Sequence, residues 1–210
     1  MKKSILKEYA KLIVKTGVNV QENQDVVIRA SVDDAYFVKY VIEEAYKAKA
    51  RSVEVEWGFQ PLTKLAYQYE NIETLTNIPK WKLKKQEHRV KTLPAMIHIV
   101  SEDPDGLAGI DQEKLLNVQR KVGPIMMKYR MEMDNKFQWT IVGIPGEKWA
   151  KKVFPKLRKK EAVKALWEAI LKVTRVDGNA LKNWEEHNQN LSLKTTKLKD
   201  LSILFLRQRL

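Results

Sequence analysis

The chain has 210 residues, with 39 basic against 26 acidic side chains and a formal net charge of +13. It contains no cysteine, which excludes disulfides, thiolate metal sites and a cysteine nucleophile. No apolar run approaches the roughly 20 residues that a membrane span needs, and lysines interrupt the N-terminal segment where a secretory signal would be continuously apolar. We therefore expect a cytoplasmic protein with no membrane segment.

Segments with helical and with strand periodicity alternate along the chain. In the first half of the chain they predict a helix ending at Gly17, then strands over 25–30 and 52–57 separated by a helix that Asp33 caps, and then helices over 62–69 and 81–90. In the second half they predict a strand over 95–100, a helix from Asp111 to about 128, a strand over 137–144, and further helices to about 197. This alternation predicts an α/β fold with a mainly parallel sheet flanked by helices.

The last residues of the chain differ from the helical pattern before them. Residues 199–210 contain the apolar run ILFL, which predicts the beginning of a strand. We therefore divide the chain into an α/β domain over 1–198 and a strand segment over 199–210. Near the other end, the first predicted strand is followed by RASVDD, which lacks the glycines of a dinucleotide-binding loop and disfavours such a site.

Positive charge is concentrated in residues 79–91, where six basic side chains accompany one acidic side chain. A basic patch of this kind can attract nucleic acid. However, lysine predominates, and neither an aromatic RNA-binding strand nor a glycine-rich phosphate loop accompanies it. We favour a solvated surface and keep nucleic-acid binding as the minor alternative.

The three histidines form no recognisable catalytic or metal-binding motif. His88 lies in the basic run and is expected at the surface, whereas His98 lies in an apolar strand and is expected in the core or at the sheet end. His187 has no carboxylate at the three- or four-residue spacing that places two metal ligands on one helix face. No serine nucleophile motif is present either. The residues therefore predict neither a catalytic residue nor a metal ligand in this chain.

The densest cluster of carboxylates is the segment SEDPDGLAGID (101–111), which directly follows a predicted buried strand. In α/β proteins, loops at the carboxyl ends of strands commonly carry functional residues. The same sequence is also typical of a tight turn, with Asp111 as the cap of the next helix. We favour the structural role and keep the lining of a cleft as the alternative.

Four segments in fixed order carry a family resemblance: NVQENQDVVI (19–28), SEDPDGLAGID (101–111), WTIVGIPGEKWAKKVFP (139–155) and LWEAILKVTRVDG (166–178). Together they resemble the aminopeptidase T / PepS family of bacterial two-metal exopeptidases, over essentially the whole chain. One departure is NALKNW (179–184), where the family tends to have Asp-Pro after the glycine.

The resemblance implies the N-terminal α/β domain of a two-domain aminopeptidase about twice this length. In that family the C-terminal domain holds two divalent metal ions, zinc or cobalt, and the strand predicted from 199 would lead into it. No ligand position carries over to this chain, so we expect it to bind no cofactor and to lack peptidase activity alone. Our candidates for facing the cleft between the domains are Glu102, Asp103, Asp105 and Trp149.

The resemblance also implies the partners: a peptide substrate in the intact enzyme, and the C-terminal catalytic domain or a second subunit. The alternative is a non-enzymatic binding module that pairs through the surface that the catalytic half would cover. Because the predicted strand at the end of the chain would expose an unpaired edge, we also expect a homo-oligomer.

Overall fold

The structure, a computed structural model, describes the backbone of residues 1–207 and the side chains of residues 1–198. The strands of its central sheet are β1 (Asp25–Ser31), β2 (Ser52–Gly58), β3 (Ala95–Val100) and β4 (Trp139–Gly143). Their spatial order is β2-β1-β3-β4, and every neighbouring pair is parallel. The predicted α/β fold with a parallel sheet flanked by helices is confirmed.

The helices occupy most of the remaining chain, and none of those described is long and apolar enough to cross a membrane. They are α1 (Lys3–Leu12, continued by a π-helical turn over Ile13–Gly17), α2 (Ala35–Lys47), α3 (Gln60–Tyr69), α4 (Ile72–Thr76), α5 (Lys80–Thr92), α6 (Gln112–Met133), α7 (Glu147–Val153), α8 (Lys159–Val173) and α9 (Ala180–Arg207).

The two faces of the sheet differ because successive side chains of a strand point to opposite sides. On one face, Val26 and Ile28 of β1 and Ile97 of β3 belong to the main hydrophobic core. On the other face, Val27 and Met96 belong to a smaller apolar cluster. The main core therefore lies on one side of the sheet, and the second side has fewer apolar contacts.

An aromatic cluster ties three helices together on the core side. The ring centroids of Tyr9, Phe37 and Trp167, which lie on α1, α2 and α8, are 5.6 to 6.2 Å apart. The Tyr9 hydroxyl also donates a hydrogen bond to the carbonyl oxygen of Gly143, at the end of β4. The buried phenol thus has its polar atom satisfied while its ring packs in the core.

The first helix also contacts the start of the last one. The Glu8 carboxylate of α1 accepts hydrogen bonds from the backbone N–H groups of Gly178 (2.9 Å) and Ala180 (2.8 Å). A carboxylate at this position caps the N-terminus of α9 and interacts favourably with the helix dipole.

Our prediction of a strand from residue 199 is wrong for the described part of that segment. Residues 199–207 continue α9, which runs from Ala180 to Arg207, and residues 208–210 lie outside the described part of the chain. The run ILFL has helical neighbours on its N-terminal side, and this context outweighs the strand preference of four apolar residues. The placing of a domain boundary at 198 stays a prediction.

Two helix boundaries also differ from the predicted ones. Before α2, the cap is formed by Ser31 and Asp34 in a reciprocal capping box, rather than by Asp33. At α6, Asp111 caps the helix as predicted, accepting hydrogen bonds from the backbone of Glu113 and Lys114, but the helix continues to Met133.

Candidate functional site

The carboxyl ends of all four strands lie at one edge of the sheet, because the strands are parallel. The chain runs from β1 outward to β2 and then returns past β1 to β3 on the other side. This reversal makes the gap between the ends of β1 and β3 a topological switch point, where open α/β sheets commonly bind their ligands.

A cleft of about 720 Å³ opens at this switch point. Its wall is built by the carboxyl ends of β1, β3 and β4, the segments that follow them, and the first turns of α3 and α8. The lining residues are Ser31, Asp33, Asp34, Tyr36, Gln60, Pro61, Ser101, Glu102, Asp103, Pro145, Gly146, Glu147, Lys148, Lys160 and Val163. Its volume lies in the range of small-molecule and peptide-binding clefts.

Asp34 joins the two loops that flank the switch point. Its buried carboxylate accepts hydrogen bonds from the backbone N–H of Ser31 (3.3 Å) and the hydroxyl of Ser101 (2.6 Å). Burial raises the pKa of Asp34, although the hydrogen bonds from Ser101 and Ser31 oppose that effect. Asp34 therefore acts chiefly as a tie between the ends of β1 and β3.

The acidic loop after β3 is held by internal contacts. Asp103 accepts a hydrogen bond from the backbone N–H of Asp105 at 3.0 Å and forms an ion pair with Lys148 at 3.1 Å. These contacts, the backbone hydrogen bond above all, lower the pKa of Asp103. The carbonyl oxygen of Asp103 also accepts from the side-chain amide of Gln60 at 2.9 Å. The loop is thus a satisfied turn that also forms part of the cleft wall.

Of the four residues predicted to face the cleft, two line it in the structure and two do not. Glu102 and Asp103 line the cleft. Asp105 lies outside the lining and pairs with Lys152 of α7. Trp149 packs against the main core, where a Cβ added to Gly143 would lie 3.0 Å from its indole ring. Whether this edge faces another domain stays a prediction.

Sequence reasoning did not identify Ser31, Asp34 or Gln60 as parts of this site. The sequence S-V-D-D (31–34) carries the signature of a capping box, which would have placed Ser31 and Asp34 at the mouth of a helix next to the end of β1. Gln60 has no such signal, because its contact with Asp103 depends on how α3 packs against the loop.

Gly146 is required at the cleft by a close backbone approach. A Cβ at this position would lie 1.9 Å from the carbonyl oxygen of Ser101. We expect Gly146→Ala to lower the free energy of unfolding by about 1–3 kcal/mol, because the backbone must shift to relieve the clash. Gly123→Ala is the control, since Gly123 lies in α6 with open space around it. There alanine should stabilise by about 0.5–1 kcal/mol, and urea unfolding of both variants measures the difference. Equal stabilities would contradict the clash.

A metal-ligand set is not assembled by the side chains that the structure describes: no three His, Cys, Asp or Glu residues among them are arranged around a common point. Two of the carboxylates at the cleft are engaged otherwise, Asp34 with Ser101 and Asp103 with Lys148 and the backbone N–H of Asp105. His98 lies on the second face of the sheet, and His187 stacks edge-on against Trp184. The side chains of residues 1–198 thus do not fit a two-metal centre.

The basic run folds as α5, and part of its charge is neutralised within the molecule. Lys85 and Arg89 form ion pairs with Glu54 and Glu56 of β2. Lys84 pairs with Glu87 one helical turn away. His88 is exposed, as predicted. These pairs leave less positive charge for nucleic acid than the sequence alone implies.

Nearly the whole chain matches known proteins of a single kind. A family model described as thermophilic metalloprotease (M29) matches residues 2–209. Aminopeptidase AmpS of Bacillus subtilis is 39% identical over 197 residues, which are 93% of this chain and 48% of that protein. Aminopeptidase T of Thermus thermophilus is 32% identical over 92% of this chain and 48% of its own length.

Comparison of the fold with solved structures identifies the same kind of protein. The solved structure of wild-type AmpT from Thermus thermophilus superposes with a TM-score of 0.78 at 30% identity, covering 90% of this chain and 46% of that one. The chain spans about half the length of the curated relatives it matches. The resemblance to the aminopeptidase T / PepS proteins is therefore confirmed, and the chain belongs to the thermophilic metalloprotease (M29) family.

Proposed function

We propose that this chain is the N-terminal domain of a metal-dependent aminopeptidase, an enzyme that releases N-terminal amino acids from peptides. The observation that supports this most strongly is the match of 93% of the chain to 48% of an aminopeptidase. In the intact enzyme the two divalent metal ions, zinc or cobalt, would be bound by the other half. This role is consistent with a cytoplasmic location, which stays a prediction.

The cleft at the switch point is our proposed surface toward the catalytic half. Glu102 and Asp103 lie at its wall, and Lys148 and Lys160 bring positive charge to the same edge. Such a mixed polar surface suits contact with another domain and with the polar backbone of a peptide. The catalytic domain is thus the proposed partner, and peptide the proposed substrate of the whole enzyme.

A chimera tests this proposal. The segment of Bacillus subtilis AmpS that aligns with this chain is replaced by the chain itself, and hydrolysis of leucine and arginine anilides is measured. We expect chelator-sensitive activity from the chimera and none from this chain alone, because the described residues assemble no metal-ligand set. The remaining half of AmpS without any partner is the control.

Two results would count against the proposal. One is chelator-sensitive hydrolysis by this chain alone, absent from a mock preparation. The other is a chimera that folds, as judged by its circular dichroism and cooperative unfolding, yet has no activity above that of the unpartnered AmpS half.

The alternative of a non-enzymatic binding module would use the same surface. Self-association also stays a prediction, although residues 199–207 are helical and form no strand edge. The prediction now depends on the edge strand β4, whose apolar side chains Trp139 and Ile141 are 58% and 62% exposed. Such an edge can pair with another chain.

A further inference from the structure

The cleft at the switch point is acidic, although the chain as a whole is basic. Five carboxylates and two lysines line the cleft, whereas the whole chain carries a net charge of +13. Two of these carboxylates are neutralised by a neighbour, since Asp103 pairs with Lys148 at 3.1 Å and Glu147 pairs with Lys159 at 3.2 Å. The other three form no ion pair with any side chain that the structure describes. They are Asp33, Asp34 and Glu102.

Asp34 is a buried residue of this cleft with one unused carboxylate oxygen. The residue is only 3% exposed, and the hydrogen bonds from Ser31 and Ser101 both end on its Oδ2. Its Oδ1 accepts no hydrogen bond from the described residues. This oxygen keeps contact with solvent, because it is not among the enclosed side-chain atoms that lack a partner in the described part of the chain. Buried carboxylates are normally hydrogen-bonded, so an open Oδ1 at the cleft indicates a donor from outside the chain.

Glu102 and Asp33 bring further negative charge to the same place. Ser31 at the end of β1 is paired with Gly58 at the end of β2, and Glu102 Oε1 lies 3.9 Å from the position that a Cβ on Gly58 would take. Because Asp34 accepts a hydrogen bond from Ser31, the carboxylates of Asp34 and Glu102 lie around the same pair of strand ends. Burial raises the pKa of Asp34 most, and the charges of Asp33 and Glu102 raise it further. A cation placed here would relieve this repulsion.

The arrangement of these carboxylates suits an organic cation better than a metal ion. Among the described residues, no three His, Cys, Asp or Glu side chains are grouped closely enough to hold a metal ion. A primary ammonium group has three N–H donors, which can bond to acceptors that are spread around it. Tyr36 and Pro61 line the same cleft and offer apolar surface to the rest of such a ligand. The cleft thus combines an ammonium-binding part with an apolar part.

We infer that this cleft binds the primary ammonium group of a peptide between Asp34 Oδ1 and the carboxylate of Glu102, and that the side chain of the ammonium-bearing residue packs against Tyr36 and Pro61. Hydrogen bonds between an ammonium and a carboxylate are charge-assisted and are about twice as strong as neutral ones. The choice of a peptide as the ligand rests on the proposed aminopeptidase role, whereas the site itself rests on the unpaired carboxylates. Ligand binding by this chain alone and activity of the AmpS chimera are separate measurements, so either can fail without the other.

The test is an NMR chemical-shift titration of the 210-residue chain, read at the backbone amides of residues 31–34 and 101–102. It is carried out at about pH 6.5, below the α-amino pKa of about 7.7–8.0. We expect saturable binding of leucinamide, with a dissociation constant on the order of millimolar for so small a ligand. N-acetyl-leucinamide has the same side chain without the charge and should bind at least about tenfold more weakly. Nα-acetyl-lysinamide distinguishes the source of the ammonium. Binding as tight as that of leucinamide shows that the site also accepts a lysine side chain, and weaker binding shows a preference for the N-terminus; both results agree with the inference.

Glu102→Gln is the variant of choice, because Glu102 is exposed, whereas removal of the buried Asp34 would test folding together with binding. Loss of the Glu102 charge should weaken leucinamide about three- to tenfold. Glu147→Gln is the matched control, since Glu147 is an exposed glutamate of the same cleft whose carboxylate pairs with Lys159, and it should change the affinity less than about twofold. The inference is overturned by an absence of saturable leucinamide binding at tens of millimolar, by equal binding of leucinamide and its acetylated form, or by equal effects of the two variants.

Discussion

Phe37→Ala is expected to lower the free energy of unfolding by about 3–5 kcal/mol. The Phe37 side chain has no exposed surface, and its ring lies 5.6 Å from that of Tyr9 and 6.0 Å from that of Trp167. Alanine would remove the ring through which α2 contacts both α1 and α8. The core side chains around position 37 cannot fill the cavity left by the ring unless those helices move. Urea unfolding monitored by circular dichroism measures the change.

Phe59→Ala serves as the control, because Phe59 is 46% exposed and outside the main core. We expect less than about 1 kcal/mol from this variant. If both substitutions lower the free energy of unfolding equally, the aromatic cluster is not the centre of the core.

Glu56→Gln is expected to lower the free energy of unfolding by about 3 kcal/mol at pH 7, because the buried Arg89 loses its nearest carboxylate and keeps only Glu54, at 3.7 Å, as a charged partner. The Arg89 side chain is only 3% exposed, so water cannot replace the lost carboxylate. The substitution preserves the size of the side chain, so a packing defect does not explain a loss of this size. Glu70→Gln, at an exposed position near the end of α3, should change stability by less than about 0.5 kcal/mol.

The effect of Glu56→Gln on the free energy of unfolding should depend on pH. Burial by itself raises the pKa of Glu56, but its contacts with Arg89, Lys85 and Arg29 outweigh this and lower the pKa from 4.5 to about 2. A carboxyl group with a lowered folded-state pKa stabilises the fold above its unfolded pKa and loses that contribution as the pH falls. The stability difference between the parent chain and Glu56→Gln should therefore be constant above about pH 5 and shrink between about pH 4.5 and 2. A difference that stays constant down to pH 2.5 would contradict the ion-pair account.

The central sheet could be predicted from sequence because its strands are short segments, either apolar or alternating, with clear boundaries. Residues 26–28 of β1 and 95–97 of β3 are buried, as their composition indicates. The end of the chain was harder to predict, since a four-residue apolar run fits a strand and a helix equally well. There the long helix that precedes the run continues through it.

The candidate site was predictable only in part. Glu102 and Asp103 could be placed at the edge of the sheet because they directly follow a strand. The partners of Asp103 could not, since Gln60 and Lys148 reach it from α3 and α7 only through tertiary packing. The cover of Glu56 by α5 had no sequence signal, because the alternation SVEVEW (52–57) indicates solvent exposure for both glutamates, whereas Glu56 is partly buried beneath Lys85 and Arg89.

The bond between Glu8 and the start of α9 has a consequence for synthesis of the chain. Its two ends are separated by 172 residues, and the Tyr9 hydroxyl finds its acceptor 134 residues later. During synthesis α1 therefore cannot complete these contacts until residue 180 has left the ribosome. Until then, the apolar side chains of α1 that are buried in the folded structure remain exposed or loosely packed. During this time, aggregation and chaperone binding compete with folding.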